Sequence, residues 1–201
     1  MIKNIIKELL LSTKRKGIEN LIEHMEEYGF FDAPCSGAHH LAVKGGLAEH
    51  SLNVCDAAFK LQDCFRSLEP HDSIIICSLL HDIGKMGQFD KPNYIPNMVK
   101  ARATKANPNP EPYQSEKKPF VTNPDLLYLD HEVRALSIIS KYIDLTEEEQ
   151  TAILWHNGLY GSFKYQIQGK ETPLYMIIHF ADMWASRVIE KGENEEDEAE
   201  L

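Results

Sequence analysis

The chain has 201 residues and a formal net charge of −10, and its last twelve residues, "EKGENEEDEAEL", hold seven acids and one lysine. This length suffices for one domain with an apolar core that needs neither disulfides nor a structural metal. The negative charge disfavours stable binding to duplex DNA or to an anionic membrane, although it is compatible with a local basic patch.

The cysteines and the N-terminal segment predict a cytoplasmic protein with no membrane contact. Cys35, Cys55, Cys64 and Cys77 have no paired CxxC spacing and are expected to be reduced thiols. The opening segment, "MIKNIIKELLLSTKRKG", interrupts its apolar residues with charges at helical spacing, unlike a secretory signal. No apolar run reaches transmembrane length.

Apolar residues recur at intervals of three and four along most of the chain, with no convincing alternating strands, which predicts an all-α fold. Thr146 and Glu149 have capping-box spacing, Thr172 precedes a proline suited to the first helical position, and Gly84 suits a left-handed position after a helix. Helices are expected over residues 2–11, 18–28, 47–68, 73–83, 131–143, 147–157 and 173–191.

Residues 89–125 interrupt this pattern with seven prolines and no sustained periodicity. They are predicted to form a long irregular insertion, and a candidate lid, between the helix that ends near Ile83 and the one that begins at His131. The insertion also carries basic residues, of which Lys91 and Arg102 are candidate substrate contacts. We interpret residues 1–189 as a single domain and residues 190–201 as an acidic, disordered tail.

Polar side chains share helix faces with apolar residues on five predicted elements. Any one of them would more often be a hydrogen-bonded core residue than a metal ligand. Burying an unpaired carboxylate costs several kcal/mol, so Asp182 needs a partner, and five polar groups on apolar faces are harder to explain as separate core residues. A shared cation would satisfy all of them: His50, His81, His131, His156 and Asp182.

Other polar and aromatic residues have simpler interpretations. A second His-Asp pair, His71 and Asp72, is expected at a helix start, with Asp72 or Ser73 as the cap. Trp155 and Trp184 are expected in the core, because each lies within a helical run.

The motifs "GGLAEHSLNV", "SLLHDIGK", "LDHEVRALSIISKYI", "AILWHNG" and "IIHFADMWAS" form an ordered H…HD…H…H…D series. Over about residues 31–189 the chain resembles the HD-domain metal-dependent phosphohydrolase superfamily, especially the HD domains of bacterial exoribonucleases and small stand-alone HD proteins of bacteria and phages. The resemblance implies a single HD-domain helical bundle that binds two divalent ions, with Asp82 as the bridge. The ligands it implies are His50, His81, Asp82, His131, His156 and Asp182.

The chemistry of this donor set agrees with the resemblance. Four imidazoles and two carboxylates favour Mn²⁺, Fe²⁺, Co²⁺ or Zn²⁺ over Mg²⁺ or Ca²⁺. Two ions bridged by Asp82, roughly 3.5 to 4 Å apart, would lower the pKa of a bridging water, and the resulting hydroxide would attack phosphorus. Lys85 would neutralise a phosphate oxygen, or is simply a solvated lysine favoured by the helix dipole. His40 matches a histidine often found upstream in the resembling proteins, and either lines the pocket or is structural.

We therefore expect an enzyme that hydrolyses a phosphate ester or anhydride bond in a nucleotide or a short oligonucleotide. Two alternatives remain open. One is a di-iron oxygenase, since the same ligand series serves such enzymes, and the other is a non-catalytic module that binds a nucleotide. The sequence shows no attached RNA-binding domain, which favours a small nucleotide over processive RNA degradation.

Overall fold

The computed structural model describes residues 1–105, 107–161 and 165–191. Within these residues the protein is mainly helical, and its strands are only two or three residues long. A helix is present in each of the expected segments, and each helix differs from its predicted range at one end or both. They are α1 (Ile2–Ser12), α2 (Ile18–Glu27), α3 (Gly46–Phe65), α4 (His71–Leu80), α5 (His131–Ile139), α6 (Glu147–Trp155) and α7 (Pro173–Trp184).

Helix α4 lies at the centre of the helical core. Its residues 73–80 are all buried, because α1, α3, α6 and α7 pack around it. A 3₁₀ turn, Ile83–Met86, follows and packs against α5. His81 and Asp82 connect the two segments and are therefore held in the interior.

Asp72 of the second His-Asp pair belongs to a structural ion-pair network, and the expected cap at Asp72 or Ser73 is wrong. The N-cap of α4 is Pro70, with no side-chain cap. Arg15 instead donates to Asp72 Oδ2 at 2.9 Å and to the buried carboxylate of Glu149, which also accepts from the Ser73 hydroxyl at 2.7 Å. This network ties α4 and α6 to the loop after α1.

The other predicted helix signals have mixed outcomes. Thr146 and Glu149 form the expected capping box, and the Thr172 hydroxyl accepts from the Tyr175 amide at 3.3 Å. The expected left-handed glycine is not Gly84 but Gly87, which has a φ of 106°. Gly84 lies within the 3₁₀ turn, where the chain continues to coil after α4.

Residues 89–125 are less irregular than expected, since short antiparallel strands pair within and beside them. β1 (Gly87–Gln88) pairs with β2 (Lys91–Pro92), β3 (Tyr94–Pro96) with β6 (Phe120–Thr122), and β4 (Met98–Val99) with β5 (Tyr113–Gln114). Strands this short show no alternation in sequence. Prolines are tolerated because every strand of a two-stranded sheet is an edge strand.

The two tryptophans differ in their environment. Trp155 is partly buried against the core, as expected. Trp184 is 57% exposed, so its predicted core position is wrong. It follows Asp182 by two residues, which on a helix places it on nearly the opposite face, away from the interior.

Membrane-spanning helices were not expected. Among residues 1–105, 107–161 and 165–191, no helix combines the length and the apolar character needed to cross a bilayer.

Candidate metal centre

Five segments of the fold bring the six predicted ligands into one cluster. His50 lies on α3, His81 and Asp82 directly follow α4, and His131 is the first residue of α5. His156 follows α6, and Asp182 lies in the last turn of α7. Four of the six side chains are almost fully buried, whereas Asp182 and His131 retain 15% and 27% exposure.

Asp82 stands at the centre of the cluster, and each of its oxygens faces two imidazoles. Oδ2 lies 3.5 Å from His50 Nε2 and 3.4 Å from His81 Nε2. Oδ1 lies 3.1 Å from His131 Nε2 and 3.4 Å from His156 Nε2. The carboxylate thus separates two pairs of histidines, as a bridging ligand would.

The second carboxylate, Asp182, lies beside His50 and His81. Its Oδ1 lies 3.2 Å from His50 Nε2, which in turn lies 3.3 Å from His81 Nε2. Donor atoms of His50, His81 and Asp182 all lie within 4.8 Å of one another, and so do those of His81, Asp82 and His156. These groups can hold a metal ion.

In His81 and His156, Nε2 faces the cluster, and the hydrogen bond made by Nδ1 indicates whether Nε2 carries a hydrogen. His81 Nδ1 lies 2.9 Å from the Ser78 carbonyl oxygen, and His156 Nδ1 lies 2.7 Å from that of Ile153. A carbonyl oxygen can only accept, so Nδ1 carries a proton, and in the neutral ring Nε2 is left with a lone pair. Nitrogen lone pairs then point at carboxylate oxygens, which are also hydrogen-bond acceptors and carry no hydrogen. Such a contact is favourable only with a metal ion or a proton between the atoms.

Two further observations fit a metal. Ligands that share an ion at about 2.0–2.2 Å lie roughly 3 to 3.5 Å from one another, which is the separation between the nitrogen and oxygen atoms of this cluster. Asp82 Oδ1 is also buried without a hydrogen-bond partner, although His131 Nε2 is only 3.1 Å away. Buried polar atoms are rarely left unpaired, so this oxygen needs a positive partner.

The charges of the cluster are strongly coupled. Burial raises the pKa of Asp82, but the Lys85 ammonium and the neighbouring imidazoles outweigh it and hold that pKa well below its ordinary value. Burial also raises the pKa of Asp182, which nevertheless lies below its usual range because of His50. Burial lowers the pKa of His50, yet the acidic groups around it, Asp182 and Glu190 among them, raise it well above normal. The buried anions therefore demand a cation, either a proton or a metal.

Lys85 is not the solvated lysine of the alternative interpretation. Its Nζ donates to Asp82 Oδ2 at 2.6 Å, and its side chain is mostly buried. Burial lowers the pKa of Lys85, but the Asp82 carboxylate more than offsets this and raises the pKa above its ordinary value. Lys85 is thus a permanent positive charge beside the cluster.

A cavity of about 290 Å³ opens above the cluster. Asp182, Lys85 and His40 line it. Tyr160 and Arg187 also contribute, with the Arg187 guanidinium 5.4 Å from the centre of the Tyr160 ring.

The two basic residues proposed from the insertion are not brought to this cavity. Lys91 lies on β2, where its Nζ donates to the Asp125 carbonyl oxygen at 2.8 Å. Arg102 is exposed, and neither residue is among the described residues that line the cavity.

Glu190 was missed as a site residue, because it was assigned to the acidic tail. Its side chain is only 2% exposed, and its carboxylate lies 3.0 Å from His50 Nδ1 and 2.9 Å from His40 Nδ1. Burial raises the pKa of Glu190, but the contacts with these two histidines bring it down to about 2. A spacing of eight residues from Asp182 does not match one face of an α-helix, so helical periodicity carried no signal for Glu190. Residues 192–201 of the predicted tail lie outside the described residues.

Asn157 and Glu132 were also missed as site residues. Asn157 contacts His131 and His156, and Glu132 contacts His131. The Asn157 amide nitrogen lies 3.2 Å from Nε2 of His131 and 3.2 Å from Nε2 of His156, and donates to Glu132 Oε1 at 2.6 Å. Glu132 Oε2 lies 3.3 Å from His131 Nδ1. The amide group has two hydrogens, so besides Glu132 it can donate to one of the two Nε2 atoms.

Cys35 and His40 form a third compact group with His50. Burial raises the pKa of the Cys35 thiol to about 11. Since the thiolate is the form that binds metals, this group is a poorer cation site than the carboxylate cluster.

The chain matches no protein-family model, no curated protein and no solved structure. The resemblance to HD-domain proteins therefore stays a prediction. The cluster itself can be described directly as four imidazole nitrogens and two carboxylates beneath a cavity with cationic walls.

Proposed function

We propose that the protein is a metal-dependent phosphohydrolase of the HD-domain type, which cleaves a phosphate ester or anhydride bond in a nucleotide or a short oligonucleotide. The observation that carries the proposal is the position of Asp82, whose two oxygens each face a pair of imidazole Nε2 atoms. Few structural roles require a buried carboxylate to contact four histidines.

The donor atoms divide naturally between two ions. His50, His81, Asp82 and Asp182 would hold one, and Asp82, His131 and His156 would hold the other. The imidazole-rich set favours Mn²⁺, Fe²⁺, Co²⁺ or Zn²⁺. When bound, such ions would polarise a phosphate oxygen and lower the pKa of a water molecule towards neutrality.

The protein's own cations would bind and orient the anionic substrate. Lys85 is protonated and lies at the cavity wall beside Asp82, where it supports a non-bridging phosphate oxygen. Arg187 contributes a second positive charge to the same cavity. In a chain with a net charge of −10, these two residues would concentrate an anion at the cluster.

The size of the cavity supports a small substrate. Its volume of about 290 Å³ is at the lower end of the range for small-molecule sites. This volume accommodates a nucleotide or the end of a short oligonucleotide better than a folded polymer.

A metal-screened activity panel tests the proposal. The full chain, purified without chelator, would be supplied with Mn²⁺, Fe²⁺, Co²⁺ or Zn²⁺ and incubated with nucleotides, cyclic nucleotides and short oligonucleotides. We expect release of phosphate, nucleoside monophosphate or pyrophosphate with at least one metal. Tight nucleotide binding without turnover would indicate a binding module instead. Dioxygen uptake with Fe²⁺ and no hydrolysis would indicate a di-iron oxygenase.

A further inference from the structure

We infer that Glu190 is a positioning residue of the metal centre: its carboxylate orients the His50 ring so that Nε2 faces the ion. The inference rests on the proposed metal binding by His50 and deepens it. It assigns a role at the site to a residue that its sequence context places in an acidic tail.

The contacts of Glu190 are those of a residue that hydrogen-bonds a metal ligand and does not itself contact the metal. Its Oε2 lies 3.0 Å from His50 Nδ1 and 2.9 Å from His40 Nδ1, and its Oε1 accepts from the Asn53 amide at 2.9 Å. The opposite nitrogen of the same ring, His50 Nε2, faces Asp82 and Asp182. His50 therefore spans the distance between Glu190 and the metal cluster.

The backbone after α7 accounts for the position of Glu190. An α-helix turns by about 100° per residue, so a continuous helix would rotate Glu190 roughly 80° away from the face of Asp182. Residues Ala185–Ile189 instead form a π turn, in which the Glu190 amide donates to the Ala185 carbonyl oxygen at 2.9 Å. A π turn advances less per residue and returns Glu190 to the face of Asp182. Both carboxylates consequently reach the same imidazole.

His50 differs in this respect from the other two buried histidines of the cluster. His81 and His156 donate to backbone carbonyl oxygens, whereas His50 donates to a carboxylate. A carboxylate fixes the tautomer and makes the opposite nitrogen a stronger donor to a metal. Glu190 also adds negative charge next to a site that binds cations. Its removal should therefore weaken the ion held by His50.

A purely structural role is the competing explanation, because Glu190 also joins the C-terminal turn to α3 through Asn53. Metal affinity and unfolding temperature separate the two roles. A structural residue changes the unfolding temperature and leaves the affinity of the folded protein unchanged, whereas a positioning residue changes the affinity.

The experiment compares Glu190→Ala and Glu190→Gln with Glu149→Gln in the full chain. Glu149 is a matched control, since it is also a buried carboxylate but accepts from Arg15 and Ser73. Zn²⁺ affinity would be measured by competition with a chromophoric chelator, and the visible spectrum of the Co²⁺-loaded protein would report the ligand geometry.

We expect Glu190→Ala to weaken Zn²⁺ binding about 10- to 100-fold and to alter the Co²⁺ spectrum. Glu190→Gln keeps an acceptor oxygen for His50 and should lie between the wild type and Glu190→Ala. Glu149→Gln should lower the unfolding temperature but keep the affinity and the spectrum.

Wild-type affinity and spectrum in both Glu190 variants would overturn the inference. Metal binding that depends on Glu190 without any hydrolysis would leave it standing and refute the proposed function. Absence of metal binding by the wild-type chain would refute both.

Discussion

Gly84 and the carbonyl oxygen of His131 are in direct contact: a Cβ atom on Gly84 would lie 2.1 Å from that oxygen and 3.0 Å from the Ala135 amide nitrogen. Backbone atoms cannot move aside as a flexible side chain does. The absence of a side chain at Gly84 thus lets α5 begin against the turn after Asp82. This close approach places His131 within reach of Asp82.

Gly84→Ala should displace the start of α5 and move His131 away from Asp82. We expect a loss of about 1–3 kcal/mol in the free energy of unfolding, typical of overpacking, together with weaker binding of the second ion. Denaturant unfolding and metal stoichiometry would measure both effects.

Gly161→Ala is the matched control for that substitution. A Cβ atom there would lie 3.4 Å from its nearest neighbour, which is an ordinary contact. Its effect on unfolding should stay within about 0.5 kcal/mol. Equal behaviour of the two variants would show that His131 does not depend on the contact at Gly84.

The helices and five residues of the cluster were predictable because both leave a periodic signal, whereas Asp82 was predicted only through the resemblance to HD-domain proteins. Polar residues such as His50 and Asp182 occur on apolar helix faces, where each side chain must either have a buried partner or be exposed to solvent. Glu190 could not be found in this way, because the α-helical period fails at the π turn and an acidic segment follows. The strands at Tyr94 and Phe120 were missed for a related reason, since their pairing depends on residues distant in sequence.

Asp82→Asn should abolish activity and leave the protein folded. Asn is nearly the same size, but it removes the charge and one of the two oxygens that face the histidine pairs. We expect activity to fall by at least about three orders of magnitude, which is the scale of losing a principal electrostatic element. The measurement is steady-state turnover, with circular dichroism as the test of folding.

Asp72→Asn is the control, since Asp72 is the acid of the second His-Asp pair. Asp72 makes a partly exposed ion pair with Arg15, and the loss should be about 1 kcal/mol of stability or less. Turnover should be nearly unchanged. A similar modest effect of both substitutions would mean that Asp82 is an ordinary residue at a helix end.

The protein should bind two ions per chain, and His131→Ala should reduce that number to one. His131 contacts Asp82 Oδ1 but not the group formed by His50, His81 and Asp182, so the first ion should remain. Elemental analysis and anomalous scattering would count and locate the ions.

His24→Ala is the control for the ion count, because His24 lies on α2, where it packs against Tyr28 and Tyr142 and is not one of the six predicted ligands. It should retain two ions. One ion in the wild type, more than about 6 Å from His131 and His156, would contradict the two-ion arrangement.

Chelation should abolish activity while most of the helical structure remains. The core contains fully buried apolar residues on α1, α2, α3 and α4 that are not part of the cluster, such as Leu10, Leu21, Val54 and Ile76. In the absence of metal, protons can satisfy part of the charge on Asp82 and Asp182.

Bound metal should nonetheless stabilise the fold, because it binds only the folded protein. At a free concentration about 100 times the dissociation constant, the gain is about 2.7 kcal/mol, or roughly 5–11 °C in unfolding temperature for a chain of this size. Far-UV circular dichroism and thermal unfolding, before and after chelation and after return of Mn²⁺ or Zn²⁺, would measure this. Complete unfolding on chelation would identify the site as structural and contradict the proposed chemistry.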